Sequence, residues 1–288
     1  MRIPVRLLTV AAALLAMAAS GCSRKADRQP AVATPSLTLS RARVPIGSPV
    51  TLTYTFHVAP DAHIATNDYV FVHMVDPQGE QMWTDDHLPP TPTSQWKPGQ
   101  TVSYSRTVFV PNYPYIGQAS VRLGLYDPAT GQRLPLAATE VNRREYTVAS
   151  FQVLPQSENL YLAYKDGWYA PESDPKDPTH EWQWTGKTAV LSFQNPKKDC
   201  TFYLQYDTRT DLFNPPQQAT IRVGDEQVAA FAADARNPAL KTFPISAAQL
   251  GSAPTDAITI AVDRTFAPGG NDPRELGIRV FHAYLAPK

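Results

Sequence analysis

Proline is the sequence feature that most restricts the folds open to this chain. The 288 residues include 28 prolines, about twice the share found in average proteins. Proline costs about 3 kcal/mol inside a helix, so prolines spaced this densely leave little room for long helices. Turns and strand ends accept proline readily. The sequence therefore favours short strands joined by ordered loops.

A period-two alternation of apolar and polar residues indicates strands in the first half of the chain. Between Val50 and Val58, large apolar residues alternate with threonine and histidine, as expected for a strand with one buried face. Further strands are predicted at residues 69–75, 102–110, 119–126 and 145–153. This strand spacing, with proline- and glycine-containing turns, predicts an immunoglobulin-like antiparallel β-sandwich over residues 36–154.

The second half predicts another β-sandwich. Its predicted strands are residues 159–164, 188–193, 201–207, 219–223, 227–231, 241–245, 257–263 and 277–285, with a short helix at 247–250. Eight or nine strands in about 130 residues is typical of a jelly roll. The predicted fold class is therefore all-β, with a jelly-roll-like sandwich over residues 155–288.

The N-terminus combines a positive start with an apolar run and a cysteine. Arg2 and Arg6 precede an uncharged run over residues 7–19, which has the length of a signal-peptide core. The tripeptide Ala19-Ser20-Gly21 followed by Cys22 resembles the lipobox of bacterial lipoproteins, with Ala19 where that family usually has leucine. The resemblance implies that residues 1–21 form a signal peptide and that Cys22 carries lipid, such as palmitate. Ordinary secretion is the alternative.

The segment that follows indicates where the protein is held. Residues 22–35 lack periodicity and large apolar groups, so we expect a flexible tether. Ser23 follows Cys22 where aspartate is the usual cue for retention in the inner membrane. The lipoprotein resemblance therefore implies a location in the cell envelope, anchored to the outer membrane.

Charge and cysteine use restrict the partners and the chemistry. Without residues 1–21 the chain has 24 lysines and arginines against 26 aspartates and glutamates, which gives no electrostatic argument for a nucleic-acid partner. The two cysteines are Cys22 and Cys200, so no disulfide framework is expected. Cys200 lies in an apolar strand and is predicted to be a core thiol rather than a nucleophile.

Sequence motifs for catalysis are absent. The chain has no Gly-x-Ser-x-Gly elbow, phosphate-binding loop, dinucleotide fingerprint or His-Glu-x-x-His motif. We expect no catalytic residue and no cofactor, with a hydrolase that uses an unrecognised site as an alternative. That alternative requires two carboxylates facing each other across a cleft, and Glu172 and Asp174 are candidates.

One loop of the first half offers a second alternative. Residues 83–96 are rich in proline and contain Asp85, Asp86 and His87, which together with His73 or His57 could bind a metal. No metal-ligand spacing such as His-x-x-x-His occurs. We therefore expect no metal and interpret these residues as solvated loop charges.

Aromatic residues flank a polar segment of the second half. A tryptophan and a tyrosine lie at the start of the predicted loop at residues 165–181, and two tryptophans follow its end. Jelly rolls commonly bind sugars, with rings stacking on the sugar and carboxylates accepting from its hydroxyls. Because Trp182 and Trp184 share one face of a strand, that face can also be core. The predicted glycan-binding residues are Trp168, Tyr169, Trp182, Trp184, Glu172 and Asp174.

The C-terminal run also resembles known sequences. The segments Asp263–Pro268 and Asp272–Val280 are similar to the end of β-sandwich modules appended to some bacterial glycosyltransferases and envelope proteins. The whole chain resembles uncharacterised two-domain bacterial envelope lipoproteins, and no catalytic residue follows from that resemblance. We expect charged hydrogen bonds to hold the last loop on the final strand, made by Arg264, Asp272, Arg274 and Glu275.

These observations favour a non-enzymatic, lipid-anchored envelope protein that binds glycan through its second sandwich. Its expected partners are the membrane, through the anchor, and an envelope polysaccharide. The alternative is an anchored adaptor that docks a protein of polysaccharide synthesis or export along a sheet edge.

Overall fold

A computed structural model of the chain describes residues 29–288. The predicted signal peptide, Cys22 and the first part of the predicted tether lie outside these residues. The described part is built almost entirely of strands, which confirms the all-β prediction. Its helical segments are α1 (Ala247–Leu250), at the position expected, and two short 3-10 helices, Thr93–Gln95 and Gln156–Glu158. No helix within residues 29–288 has the length and apolar character needed to cross a membrane.

The first half folds into an immunoglobulin-like sandwich. Its strands are β1 (Ala33–Leu39), β2 (Arg43–Pro45), β3 (Pro49–Val58), β4 (Tyr69–Val75), β5 (Gln81–Thr84), β6 (Thr101–Phe109), β7 (Gly117–Tyr126), β8 (Arg133–Leu134), β9 (Thr139–Asn142) and β10 (Glu145–Leu154). One sheet has the order β1-β3-β6 and the other β2-β10-β7-β4-β5, with β8 beside β7 and β9 beside β10. The named strand pairs are antiparallel apart from β2 with β10, which are parallel.

Strand β3 shows why the alternation predicts this fold. Leu52, Tyr54 and Phe56 are fully buried between the sheets. The intervening threonines point outward and pair with the hydroxyls of β6, as Thr51 does with Thr107 at 2.9 Å. Apolar groups are removed from water on one face, and hydroxyls hydrogen-bond to each other on the other face.

The first strand begins inside the predicted tether, so the predicted tether boundary at residue 35 is wrong. Ala33 is 1% exposed, pairs with Val58 and packs in the first core. Pro35 is tolerated because β1 is an edge strand. A short run of alanine, threonine and proline carries too few large apolar groups to be recognised from its pattern.

The second half folds into a jelly-roll-like sandwich of two five-stranded sheets. Its strands are β11 (Ala163–Tyr164), β12 (Glu172–Asp174), β13 (Asp177–Trp184), β14 (Thr188–Gln194), β15 (Cys200–Asp207), β16 (Gln217–Val223), β17 (Glu226–Ala233), β18 (Ala239–Ile245), β19 (Thr255–Val262) and β20 (Arg279–Pro287). The sheet orders are β11-β14-β19-β16-β17 and β12-β13-β20-β15-β18. Cys200 is fully buried in the core between them, as predicted.

Two predictions in this half are corrected. The loop expected at residues 165–181 contains β12 and most of β13, which form a hairpin. The strand expected at residues 159–164 is reduced to the two residues of β11. The hairpin carries polar residues on both of its faces, so period-two burial gives no signal for it.

The two sandwiches contact each other through a few side chains. The amide of Asn159 donates to the carbonyl of Ile46 at 2.7 Å and accepts from the hydroxyl of Tyr284 at 3.0 Å. The ring of Phe109 stacks on the ring of His282, with centroids 4.2 Å apart. Residues from β6 and β20 therefore meet directly.

Candidate functional site

Two of the predicted aromatic residues serve the core of the second sandwich. Trp168 is half-buried, donates from its indole nitrogen to the carbonyl of Val190 at 2.9 Å and packs against the core. Trp184 is 9% exposed, and the ring of Phe266 lies edge-on to it at 5.5 Å. Both residues are therefore engaged in packing within the sandwich.

Trp182 belongs to a surface organised around one arginine. The guanidinium of Arg279 lies 4.9 Å from the ring centroid of Trp182, 5.0 Å from that of Phe281 and 5.7 Å from that of Trp184. Strand register produces this arrangement, because Trp184 pairs with Arg279 across β13 and β20. We call these four residues the aromatic face.

A buried carboxylate fixes the arginine of the aromatic face. Asp207, at the end of β15, is 2% exposed. Its two oxygens accept from Nε and Nη2 of Arg279 at 2.8 and 2.5 Å. This bidentate pair holds the guanidinium plane in one orientation above the rings.

Next to the aromatic face lies a cluster of charged groups. Arg274 donates from Nε and Nη2 to Asp272, with the shortest contact at 2.7 Å, and from Nη1 to Glu172 at 2.5 Å. Its guanidinium also lies 5.5 Å from the ring centroid of Tyr169. The indole nitrogen of Trp182 donates to the other oxygen of Glu172 at 3.2 Å. We call Tyr169, Glu172, Asp272 and Arg274 the charged cluster.

The charged cluster is reachable from solvent. The side chains of Asp272, Arg274 and Glu172 are 27%, 30% and 33% exposed. Hydrogen bonds from the Arg274 guanidinium hold the pKa of Asp272 below its usual value. The cluster therefore offers fixed carboxylate oxygens and guanidinium N–H groups next to two half-buried rings, Trp182 and Tyr169.

The structure thus brings together only part of the predicted site. Tyr169, Trp182 and Glu172 form one connected group. Asp174 instead accepts from the backbone N–H of Lys176 at 2.8 Å and stabilises the hairpin turn. Trp168, Trp184 and Asp174 are therefore scaffold residues of this region.

The last loop is held by charged hydrogen bonds, but not where the sequence suggested. Arg274 joins the loop to β12 through Glu172 instead of to the final strand. Arg264 donates to the carbonyls of Pro215 and Pro216 at 2.8 and 3.0 Å. The expected contact with the final strand is wrong, because β12 occupies the neighbouring position in space.

Sequence reasoning missed the pair of Asp207 and Arg279. The two residues are 72 positions apart, and only strand pairing between β15 and β20 brings them together. One signal was available, since an aspartate that ends the apolar strand 200–207 requires a partner when it is buried.

Two residues of the predicted acidic loop of the first sandwich, Asp85 and His87, belong to a buried network, whereas Asp86 is exposed. Asp85 is 7% exposed. Its carboxylate accepts from Nε of Arg106 at 2.9 Å, from Nη2 of Arg106 at 2.8 Å and from the hydroxyl of Tyr54 at 2.8 Å. The solvated-charge interpretation is therefore wrong for Asp85 and His87. A backbone bridge between His87 and Val70 extends the sheet edge and turns these side chains inward.

The hydrogen bonds of His87 define its tautomer. Its Nδ1 lies 2.6 Å from the carbonyl of Asp85 and therefore donates, while Nε2 accepts from the hydroxyl of Tyr104 at 2.8 Å. Burial lowers the pKa of His87, which favours this neutral form. His73 instead pairs with Glu145 at 3.1 Å, and His57 with Thr101 at 2.9 Å. Among residues 29–288, no three His, Cys, Asp or Glu side chains are grouped as metal ligands.

Comparisons with known proteins give no family for the chain. No family model matches it, and no curated protein matches it. Among solved structures, it is similar to a family 35 carbohydrate binding module from an environmental isolate (13% identity, TM-score 0.29, 45% of this chain and 98% of the module covered). It is also similar to a Bacteroides uniformis β-glucuronidase (10% identity, TM-score 0.32, 88% and 30% covered).

A third similar structure is the Pseudomonas fluorescens alkylpurine DNA glycosylase AlkC bound to DNA (14% identity, TM-score 0.29, 44% of this chain and 31% of the glycosylase covered). The chain thus spans about a third of the length of both enzymes. Because all three TM-scores lie below 0.5, these similarities carry no argument about function.

Proposed function

We propose that this protein is a non-enzymatic envelope protein, anchored to the outer membrane through lipid on Cys22, that binds glycan through its second sandwich. One observation carries the glycan-binding proposal. Trp182, Glu172, Arg274 and Tyr169 form a continuous chain of contacts, in which two half-buried rings are connected by a carboxylate and a guanidinium.

The chemistry of a sugar ring fits this arrangement. A pyranose has an apolar C–H face that packs on an aromatic ring and a rim of hydroxyls that both donate and accept hydrogen bonds. Glu172 and Asp272 supply acceptors, and Arg274 supplies donors. Their ion pairs fix the side chains before a ligand arrives, which reduces the entropy lost on binding.

The ionisation of the nearby carboxylates supports binding rather than acid catalysis. Hydrogen bonds from Arg274 lower the pKa of Asp272, and hydrogen bonds from Thr179 lower the pKa of Asp177. A glycosidase needs a carboxylic acid with a raised pKa to protonate the leaving oxygen. The pKa values of Asp272 and Asp177 are lowered instead of raised, so neither carboxylate suits that role.

A glycan array tests the proposal. The chain comprising residues 25–288, which keeps every strand, is applied to an array of neutral and acidic oligosaccharides. We expect it to retain at least one class of glycan, and we expect Trp182→Ala to weaken the affinity for that glycan about tenfold or more (1.4 kcal/mol). Trp182→Phe should retain part of the affinity, because it keeps an aromatic face.

Tyr161→Ala is the matched control. Tyr161 is 79% exposed and lies outside the aromatic face and the charged cluster, so its removal should leave glycan affinity unchanged. Thermal unfolding of each variant separates loss of the site from loss of the fold. Failure of the unmodified chain to retain any glycan would refute the proposal.

One observation favours the adaptor as a second candidate. The ladder between β11 and β14 contains only two residue pairs, and beside it lies a pocket of about 400 Å³ lined in part by Tyr161, Phe193 and Gln194. A short edge strand beside an exposed tyrosine suits a partner that adds a strand. A protein partner that is lost in Tyr161→Ala and kept in Trp182→Ala would support this candidate.

A further inference from the structure

The first sandwich contains a strongly basic pocket that the proposed function does not use. Its volume is about 610 Å³, and its lining residues are Gln29, Gly131, Gln132, Arg133, Arg143 and Arg144. Three guanidinium groups and two amides therefore surround the pocket, and the side chains that line it within residues 29–288 include no acidic one. A site of this composition selects a ligand that carries several anionic oxygens.

The backbone places two of these arginines with unusual geometry. Arg143 and Arg144 form the two-residue turn between β9 and β10, and their φ angles are +36° and +59°. Turns of this kind normally use asparagine and glycine, because positive φ is unfavourable for residues with long side chains. Two adjacent arginines in left-handed backbone are the type of local strain that accompanies a functional role.

Other contacts fix the side chains that line the pocket. The guanidinium of Arg133 lies 4.2 Å from the ring centroid of Phe71 and donates to the carbonyl of Arg143 at 3.1 Å. Arg144 donates to the carbonyl of Arg133 and to the side-chain oxygen of Gln29. The nearby carboxylate of Glu140 accepts from the backbone N–H of Arg144 at 2.9 Å.

A glycine supports the floor of the pocket. A Cβ at Gly124 would lie 2.4 Å from the ring of Phe71 and 2.6 Å from the carbonyl oxygen of Arg144. Only glycine therefore allows the Phe71 ring to lie beneath Arg133 while the β9–β10 turn approaches β7. The guanidinium of Arg143 is exposed and has no hydrogen-bond or ion-pair partner among the described side chains, so it is available to a ligand.

We propose that this pocket binds a phosphate group and that the phosphate belongs to a lipid headgroup of the anchoring membrane. Planar guanidinium groups bind phosphate through paired hydrogen bonds. Gln29 lines the pocket and follows Cys22 by seven residues, a separation of at most about 25 Å. The choice of a lipid source rests on the proposed anchor at Cys22, which would keep the pocket near the headgroups.

Inorganic phosphate tests the site itself. Phosphate is titrated into residues 25–288 and followed by NMR chemical shifts of the pocket residues. We expect Arg143→Gln to weaken binding about tenfold and Arg143→Lys to weaken it less, since lysine keeps the charge and loses the paired geometry. Arg236→Gln removes an exposed arginine of the second sandwich and should leave phosphate binding unchanged.

Vesicles test the source of the phosphate. The same chain is sedimented with vesicles of phosphatidylglycerol and phosphatidylcholine and with vesicles of phosphatidylcholine alone. We expect sedimentation only with phosphatidylglycerol, reduced several-fold by Arg143→Gln and unaffected by Arg236→Gln. Arg143→Gln and Arg143→Lys keep a long side chain at position 143, so the backbone strain of the turn is the same in both. Equal thermal unfolding temperatures confirm that each variant is folded.

The outcomes separate the two parts of the proposal. The absence of phosphate-induced shifts at the pocket would overturn the site. Phosphate binding without vesicle binding would overturn the headgroup source and assign the pocket to soluble phosphate. The lipid anchor is tested independently, by palmitate labelling of the full chain with Cys22→Ser as the unlabelled control, so failure of the anchor cannot be mistaken for failure of the pocket.

Discussion

A single buried carboxylate connects the two sheets of the first sandwich. Asp85 follows β5 in one sheet, whereas its partners Tyr54 and Arg106 lie on β3 and β6 of the other. A charge in a protein interior is tolerated only when its oxygens are paired. The sandwich edge is therefore closed by directional polar contacts in addition to apolar packing.

Removal of this carboxylate should destabilise the fold. We expect Asp85→Ala to lower the free energy of unfolding by about 2–4 kcal/mol. The substitution leaves the Tyr54 hydroxyl unpaired in the core and removes the carboxylate that pairs with Arg106. Urea denaturation measures the change. Asp61→Ala, an exposed aspartate in the same sandwich, is the control, and equal stability losses in the two variants would contradict the role of Asp85.

At the scale of elements, a tight junction sets the register of β13 against β20. The N–H of Gly277 donates to the carbonyl of Thr185 at 2.6 Å, and the N–H of Ile278 donates to the hydroxyl of Thr185 at 3.0 Å. A Cβ at Gly277 would lie 2.4 Å from that hydroxyl and 2.5 Å from the carbonyl of Gly186. This close approach places Arg279 opposite Trp184.

A methyl group at this junction should disturb both stability and the proposed site. We expect Gly277→Ala to cost about 1–3 kcal/mol through overpacking and to weaken glycan binding by displacing Arg279. Gly186→Ala is a close control, since its Cβ would meet no atom nearer than 3.6 Å. Thermal unfolding and the array binding measure both effects, and equivalent behaviour of the two variants would refute the register argument.

The elements that were predictable are those whose signal is local. The sequence predicts strands at residues 50–58 and 69–75, which lie in β3 and form β4, because the alternation in β3 and the nearly continuous apolar run in β4 are both visible in adjacent residues. The hairpin of β12 and β13 has no such signal. The ion pairs of Asp85 with Arg106 and of Asp207 with Arg279 depend on strand register. The hydrophobic pattern of a sequence constrains register only where one face of a strand is buried. The candidate site was therefore only partly predictable.

At the scale of the whole molecule, an aromatic contact joins the two sandwiches. Phe109 covers one face of the ring of His282, a residue that is otherwise exposed, and the loss of hydration on the covered face lowers the pKa of His282. A histidine with a lowered pKa stabilises the folded state above about pH 6.5, its ordinary pKa. That stability is lost as the pH falls through the interval down to the lowered pKa, because only the unfolded chain binds the proton there.

The pKa of His282 can report on this contact. We expect Phe109→Ala to raise the pKa of His282 towards about 6.5, because water regains access to the ring. NMR titration of the His282 ring proton measures it. Ile116→Ala, which removes a side chain that is 54% exposed, should leave the pKa of His282 unchanged. An unaltered pKa of His282 in Phe109→Ala would show that groups other than Phe109 shield the ring from water.

The parallel pairing of β2 with β10 has a mechanical consequence. The residue pairs Arg43–Gln152, Val44–Val153 and Pro45–Leu154 place β2, the second strand of the first sandwich, beside its last strand β10. Tension transmitted through β1 to β2, and through the second sandwich to β10, would pull these two strands in opposite directions along their length. Their hydrogen bonds would then bear the force together, in shear, instead of opening one after another, so this pairing would resist stretching from the proposed anchor at Cys22.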